Sequence, residues 1–196
     1  MTYRQKVLKA FYPALMWLNK ITGSKSTIMH NSNKETVPPR SLYDLSVPLN
    51  DGSELKMAEL EGKKILLVNT ASDCGYTNQY EDLQKLYDAN KDNIVVIGFP
   101  ANDFKEQEKG NDAEIAAFCK KNYGINFPLA SKSRVIGKDQ NEIFKWLSDK
   151  KLNGWNDQSP TWNFAKYLVN EKGVLTHYFD PAISPSSQEI KTALGL

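Results

Sequence analysis

Ile65-Leu66-Leu67-Val68-Asn69-Thr70-Ala71-Ser72-Asp73-Cys74-Gly75-Tyr76-Thr77-Asn78-Gln79-Tyr80 is the stretch whose reading decides the fold. Its first four residues are a short apolar run, the pattern of a strand buried on both faces. Gly75 marks a turn. Beyond it Leu83, Leu86, Tyr87 and Asn90 recur at helical spacing. Cys74 therefore sits where a strand hands over to a helix. Unpaired N–H groups and the positive end of a helix dipole favour a thiolate there, and the thiolate is the nucleophilic form of cysteine.

Working outward, Ile94–Phe99 (IVVIGF) reads as a second buried strand stopped by Pro100. Residues 111–122 read as a helix opened by Asn111, with Glu114 placed to close a capping box. Asn141–Lys150 is amphipathic and reads as one helix. Asn163–Val169 and Val174–Phe179 read as strands joined at Asn170-Glu171-Lys172-Gly173, hence a hairpin. Ser187–Leu194 reads as a closing helix. Upstream, Ser41–Pro48 and Asp51–Leu55 suggest a hairpin around Asn50-Asp51-Gly52. The order β-α-β, helices, β-β, α predicts a thioredoxin-like α/β fold, a central mixed sheet flanked by helices. Thr77 stands where a C-x-x-C pair would have its second cysteine, which excludes disulfide exchange through a local pair.

The bulk numbers bound the chemistry. A chain of 196 residues suits one domain with a substantial core. A net charge of +2 makes no strong electrostatic case for nucleic acid or for an anionic membrane. Two cysteines are too few for a disulfide scaffold but allow one redox pair. His30 and His177 lie far apart in sequence, so neither a metal site nor a cofactor is expected. Residues 1–40 differ from the remainder. Ala10–Leu18 (AFYPALMWL) is apolar and aromatic, preceded by Arg4, Lys6 and Lys9 and followed by Lys20. It is too short to span a bilayer, which takes about 20 apolar residues. A helix packed on the domain, an interfacial helix and an export signal are the readings open to it. Residues 22–40 read as a polar linker, and the compact domain as 41–196.

Three motifs in order resemble the cysteine-containing glutathione peroxidase family. The first, N-x-A-S-x-C-G-x-T-x-Q-Y, matches Asn69 to Tyr80. The second, G-F-P-C-N-Q-F-x-x-Q-E-x-G, resembles Gly98 to Gly110. The third, W-N-F-x-K-[FY]-L-[VI], matches Trp162 to Val169. The resemblance covers about Ser41 to Leu194. It implies a catalytic set of Cys74, Gln107, Trp162 and Asn163, with backbone donors at Gly75 and Tyr76. In that set the Cys74 thiolate attacks a hydroperoxide and becomes a sulfenic acid, while neutral amide and indole donors stabilise sulfur and the departing oxygen. The segment Phe118 to Pro128 resembles the family's F-C-x-x-x-Y-G-[VI]-x-F-P, which implies a resolving role for Cys119. The same residue, at i, i+3, i+4 spacing with Ile115 and Phe118, reads from its own surroundings as a buried cysteine on the apolar side of a helix.

The implied function is a thiol peroxidase acting on hydrogen peroxide and organic or lipid hydroperoxides, recycled by thioredoxin or glutathione. The short stretch Lys151–Thr161 leaves no room for the long loop of tetrameric relatives, which implies a monomer or dimer. A cytoplasmic location is expected, with export or peripheral membrane contact through residues 10–18 as alternatives. Ala101 and Asp103 depart from the second motif. Asp73 beside Cys74 departs from the usual lysine, and a carboxylate there should raise the thiol pKa. Two further readings are a redox sensor that oxidises a partner through the same disulfide and a non-catalytic thioredoxin-like binding module.

Overall fold

The computed structural model describes residues 1–21, 27–33 and 35–196. The apolar run at 65–68 lies within β4 (Lys64–Thr70), and IVVIGF lies within β5 (Ile94–Pro100). The two are parallel, with Ile65 opposite Val95 and Val68 opposite Gly98. They are joined through α2 (Gln79–Asn90). On the other side of β4 lies β6 (Lys166–Val169), antiparallel, then β7 (Leu175–Phe179), which returns from β6 as a hairpin. The outermost strand is β1 (Ile28–His30), antiparallel to β7, so the sheet order is β1-β7-β6-β4-β5. A separate two-stranded hairpin pairs β2 (Ser46–Pro48) with β3 (Glu54–Lys56).

The two-residue period of a strand divides the core. Ile65, Leu67, Ile97 and Phe99 face one layer, against Phe144, Trp146 and Leu147 of α4 (Glu142–Leu147). Leu66, Val68 and Val96 face the other. That layer is closed by Leu83 of α2, Ile115 and Cys119 of α3 (Asp112–Tyr123) and Ile190 of α6 (Gln188–Leu194). The molecule is thus a mixed sheet flanked by helices, as expected from the element order. The capping box at α3 is present in both directions, Glu114 N–H to Asn111 Oδ1 at 3.0 Å and Asn111 N–H to Glu114 Oε2 at 2.9 Å.

Several boundaries differ from the sequence reading. The hairpin expected from Ser41–Pro48 and Asp51–Leu55 is confined to Ser46–Pro48 and Glu54–Lys56, after a 3-10 turn at Leu42–Asp44. The helix expected over 141–150 is two: α4 ends at Leu147 and α5 spans Lys150–Asn153. Asp149 makes the break, because its Oδ1 accepts the Lys151 N–H at 2.9 Å and opens the second helix. The strand expected from Asn163 begins at Lys166, because Phe164 takes a left-handed φ of 70° that no strand accommodates. In the segment read as a linker, Ile28–His30 form β1, while residues 22–26 and 34 lie outside the described residues. The apolar segment 10–18 belongs to a longer helix, α1 (Tyr3–Ile21), which packs on the loop that carries Cys74. Tyr12 is the only fully buried side chain of α1 among those described.

Candidate active site

Cys74 lies in the turn between β4 and α2, and that turn is tied by Thr77. The Thr77 hydroxyl accepts the Cys74 N–H at 2.9 Å and donates to the Ala71 carbonyl at 2.8 Å. The position where a local disulfide partner would stand thus staples the loop instead. Of the two backbone donors expected, Tyr76 N–H reaches the Cys74 sulfur at 3.4 Å. Gly75 makes no such bond. It faces α1, where Leu15 Cδ2 lies 3.6 Å from the point a Cβ would occupy.

Asn163 and Trp162 lie near enough to the sulfur to lower its pKa. Gln107 joins them through Asn163, whose Nδ2 donates to Gln107 Oε1 at 2.9 Å. The Gln107 carbonyl in turn accepts the Asp73 N–H at 3.0 Å. The structure therefore gathers Cys74, Gln107, Trp162 and Asn163 into one cluster. Trp162 is further positioned by Phe104, with ring centroids 5.5 Å apart, and has the Lys105 ammonium over its ring at 5.7 Å.

Two devices hold this polar floor in place. The first is Asn69, fully buried on β4. Its Nδ2 donates to the Trp162 carbonyl at 3.0 Å, its Oδ1 accepts the Ala165 N–H at 3.0 Å, and its backbone carbonyl accepts the Phe164 N–H. Asn69 opens the first motif, yet sequence alone assigned it no role, because its partners lie 93 to 96 residues away. The second is backbone strain. Among the described residues the non-glycine positions with left-handed φ are Lys105, Glu106 and Phe164. They directly precede Gln107 and follow Asn163. Such conformations cost of order 1–3 kcal/mol each and persist where the surroundings over-determine them, which concentrates them at working sites.

The thiol is less activated than its place in the chain predicts. Cys74 is 1% exposed, and burial raises its pKa above the ordinary thiol value. The Tyr76 N–H, Asn163 and Trp162 oppose that rise, while the Asp73 carboxylate adds to it as the weakest influence. The expected penalty from Asp73 is present but small. Arg4 of α1 forms an ion pair with Asp73, a partnership across 69 residues with no local signature in the sequence. Gln5 of α1 donates to the Ser72 carbonyl at 3.1 Å. The helix thus forms a roof over the thiol, and the narrow cleft that reaches Cys74 is lined by Gln5, Leu8 and Lys9. A wider cleft of about 320 Å³ opens beside it, lined by Asp73, Gln107 and Glu108 among others.

Cys119 sits inside α3, fully buried, and both cysteines are free thiols packed in the same core layer. Burial pushes the Cys119 pKa up to about 12, opposed by the Tyr80 hydroxyl. Glu108 is a titratable neighbour that the sequence reading did not single out. It is buried, accepts the Ser72 hydroxyl at 3.0 Å, and has its pKa pushed up to about 7 by burial.

Comparison with known proteins bears directly on this cluster. Residues 42–148 match the family model for glutathione peroxidase. The chain belongs to the glutathione peroxidase family. It is 41% identical over 155 residues to the glutathione peroxidase homolog BsaA of Staphylococcus epidermidis, covering 79% of this chain and 96% of that one. It is 39% identical over 158 residues to glutathione peroxidase-like peroxiredoxin 2 of Saccharomyces cerevisiae, covering 79% and 98%. Among solved structures it is similar to Trgpx in its apo form, with a TM-score of 0.61 and 32% identity over 79% of this chain and 92% of that one. A DsbF homologue from Corynebacterium diphtheriae, at 16% identity and a TM-score of 0.59 over 87% and 93%, shares the thioredoxin-like fold alone. The glutathione peroxidase match begins at residue 42, so α1 and β1 lie before it.

Proposed function

We propose that this chain is a thiol peroxidase that reduces hydrogen peroxide and organic or lipid hydroperoxides through Cys74. The observation that carries this reading is the Tyr76 N–H on the Cys74 sulfur, with Asn163 and Trp162 close enough to lower the thiol pKa and Gln107 tied to Asn163. These donors are neutral. They stabilise negative charge on sulfur in the ground state and on the departing oxygen in the transition state, with no titrating group of their own.

The Cys74 thiolate attacks the outer oxygen of the hydroperoxide. A sulfur–oxygen bond forms as the oxygen–oxygen bond breaks, and the released alkoxide or hydroxide takes a proton and leaves as alcohol or water. Cys74 is left as a sulfenic acid. The thiolate of Cys119 then attacks the Cys74 sulfur, forming a disulfide and expelling water after protonation. Two electrons from a dithiol such as thioredoxin, or from glutathione, reopen it. Since Cα atoms must come within about 7 Å for a disulfide, and Cys119 is locked inside α3, this step requires α3 to unravel locally. The working unit is a monomer or dimer. Its place of action is the cytoplasm, with membrane contact of residues 10–18 as the alternative to free diffusion.

Trp162 lies against the reacting sulfur and provides the test. Stopped-flow tryptophan fluorescence of the reduced protein mixed with hydrogen peroxide should show a fast phase lost in Cys74→Ser. A slower phase should be lost in Cys119→Ser. A fast phase that survives Cys74→Ser would overturn the assignment of the nucleophile. A complete cycle in Cys119→Ser with thioredoxin would overturn the resolving role. No fast phase with either hydrogen peroxide or a lipid hydroperoxide would leave a binding module.

A further inference from the structure

The geometry of α1 points to an anionic lipid bilayer as the partner of its outward face. A helix packed on a domain normally turns its apolar side inward. Here the outward side is apolar as well. Tyr3, Val7, Phe11, Ala14 and Trp17 fall at steps of three and four residues on one face, with Tyr3 84%, Phe11 66% and Trp17 62% exposed. Lys6 is the cation on that same side. The inward face is taken up by Gln5, Leu8, Tyr12 and Leu15 over the Cys74 loop.

Charge selects among the possible occupants. The first 34 residues carry Arg4, Lys6, Lys9, Lys20, Lys25 and Lys34 and no Asp or Glu; the first acidic residue is Glu35. Arg4 is engaged with Asp73 and Lys9 lies over the Tyr123 ring, so on the described helix the stripe has Lys6 beside it and no carboxylate, which suits the interface of a membrane bearing negative headgroups. Rings sit there at headgroup depth and lysine stems reach outward to phosphate. A second copy of the same face would bring like charges together instead. No helix among the described residues is long and apolar enough to cross a membrane, so α1 lies along the surface rather than through it.

Docking in this way sets the peroxidatic loop one helix diameter from the lipid and so deepens the peroxidase reading, on which its functional meaning rests. The lipid hydroperoxide would be met at the surface that holds it.

The test uses the full chain and vesicles of phosphatidylcholine with or without phosphatidylglycerol. The wild type should co-sediment with the phosphatidylglycerol vesicles and at least tenfold less with phosphatidylcholine alone. Phe11→Glu combined with Trp17→Glu should reduce binding at least tenfold while leaving hydrogen peroxide consumption unchanged. Failure of the wild type to sediment with anionic vesicles would overturn the proposal, as would binding that the double variant retains. A dimer in sedimentation velocity that the double variant disperses, without vesicle binding, would give the face to a second copy and overturn it too. Peroxide consumption is scored separately. A chain that binds vesicles without consuming peroxide removes the peroxidase reading and leaves the docking intact.

Discussion

The floor and the roof of the Cys74 pocket are built by opposite principles. The floor is rigid: Gln107, Trp162 and Asn163 are fixed by a buried asparagine with three hydrogen bonds and by left-handed backbone on either side. The roof is light. It rests on Tyr12, whose ring burial contributes about 2 kcal/mol, reduced by the cost of a buried hydroxyl with no hydrogen-bond partner among the described residues. One hydrogen bond from Gln5 adds about 1 kcal/mol. The largely exposed ion pair of Arg4 with Asp73 adds from about 0 to 1 kcal/mol. The floor is therefore fixed in place and the roof free to move.

The largest test breaks the floor. Asn163→Ala removes a donor to the sulfur and unties Gln107. Cys74 oxidation by hydrogen peroxide, followed by stopped flow, should slow about 10²–10³-fold, the usual loss for one preorganised donor. A loss no greater than that of Asn170→Ala, a hairpin residue outside the site, would mean the cluster is packing rather than chemistry.

The next test breaks the roof. Leu15→Glu places a carboxylate against Gly75 and should lift α1. Iodoacetamide should then alkylate Cys74 on the order of tenfold faster at pH 7, because lifting relieves the burial that raises the thiol pKa. An unchanged rate would show that α1 does not limit access.

A smaller effect concerns Glu108, between the two. Its folded pKa of about 7 exceeds the unfolded carboxyl value, so the folded state holds a proton that the unfolded chain releases. The associated stability is complete below the unfolded value and is lost as pH rises through about 7. Its size is up to about 3 kcal/mol. Glu108→Gln should flatten the fall in urea midpoint between pH 5 and 8, measured against wild type. A wild-type midpoint that does not fall over that range would place the carboxyl in water.

The smallest effect isolates the link between floor and roof. Arg4→Gln leaves the Asp73 carboxylate uncompensated, and the Cys74 alkylation rate at pH 7 should fall about twofold, within the range of an exposed ion pair. A rise instead would mean that Arg4 acts only as a clasp.

The same division explains what could be read from the chain. β4, β5, α2, α3 and the β6–β7 hairpin were legible because each is written locally, in apolar runs, a capping box and a turn. The set Cys74, Gln107, Trp162 and Asn163 was legible only through motifs whose members lie far apart; no local rule joins Gln107 to Asn163 across 56 residues. β1 escaped because a three-residue edge strand has no period to detect. The break at Asp149 was hidden inside a continuous amphipathic pattern. The roof had the least signal: residues 10–18 announced a helix, but nothing in them specifies that Asp73 and Gly75 are what it covers.

The caps of α3 have one further consequence. Asn111 and Glu114 lock its start, and Gly124, in the left-handed conformation at φ 66°, takes up the carbonyls of Cys119 and Lys120 at its end. If Cys119 must leave this helix to reach Cys74, those caps act as a clock. They set how long the sulfenic acid survives before the disulfide closes. A long interval lets a second peroxide carry Cys74 onward to the sulfinic acid, which thiols do not reverse. On the resolving role proposed for Cys119, the strength of a helix cap would set the dose of oxidant at which the protein stops working.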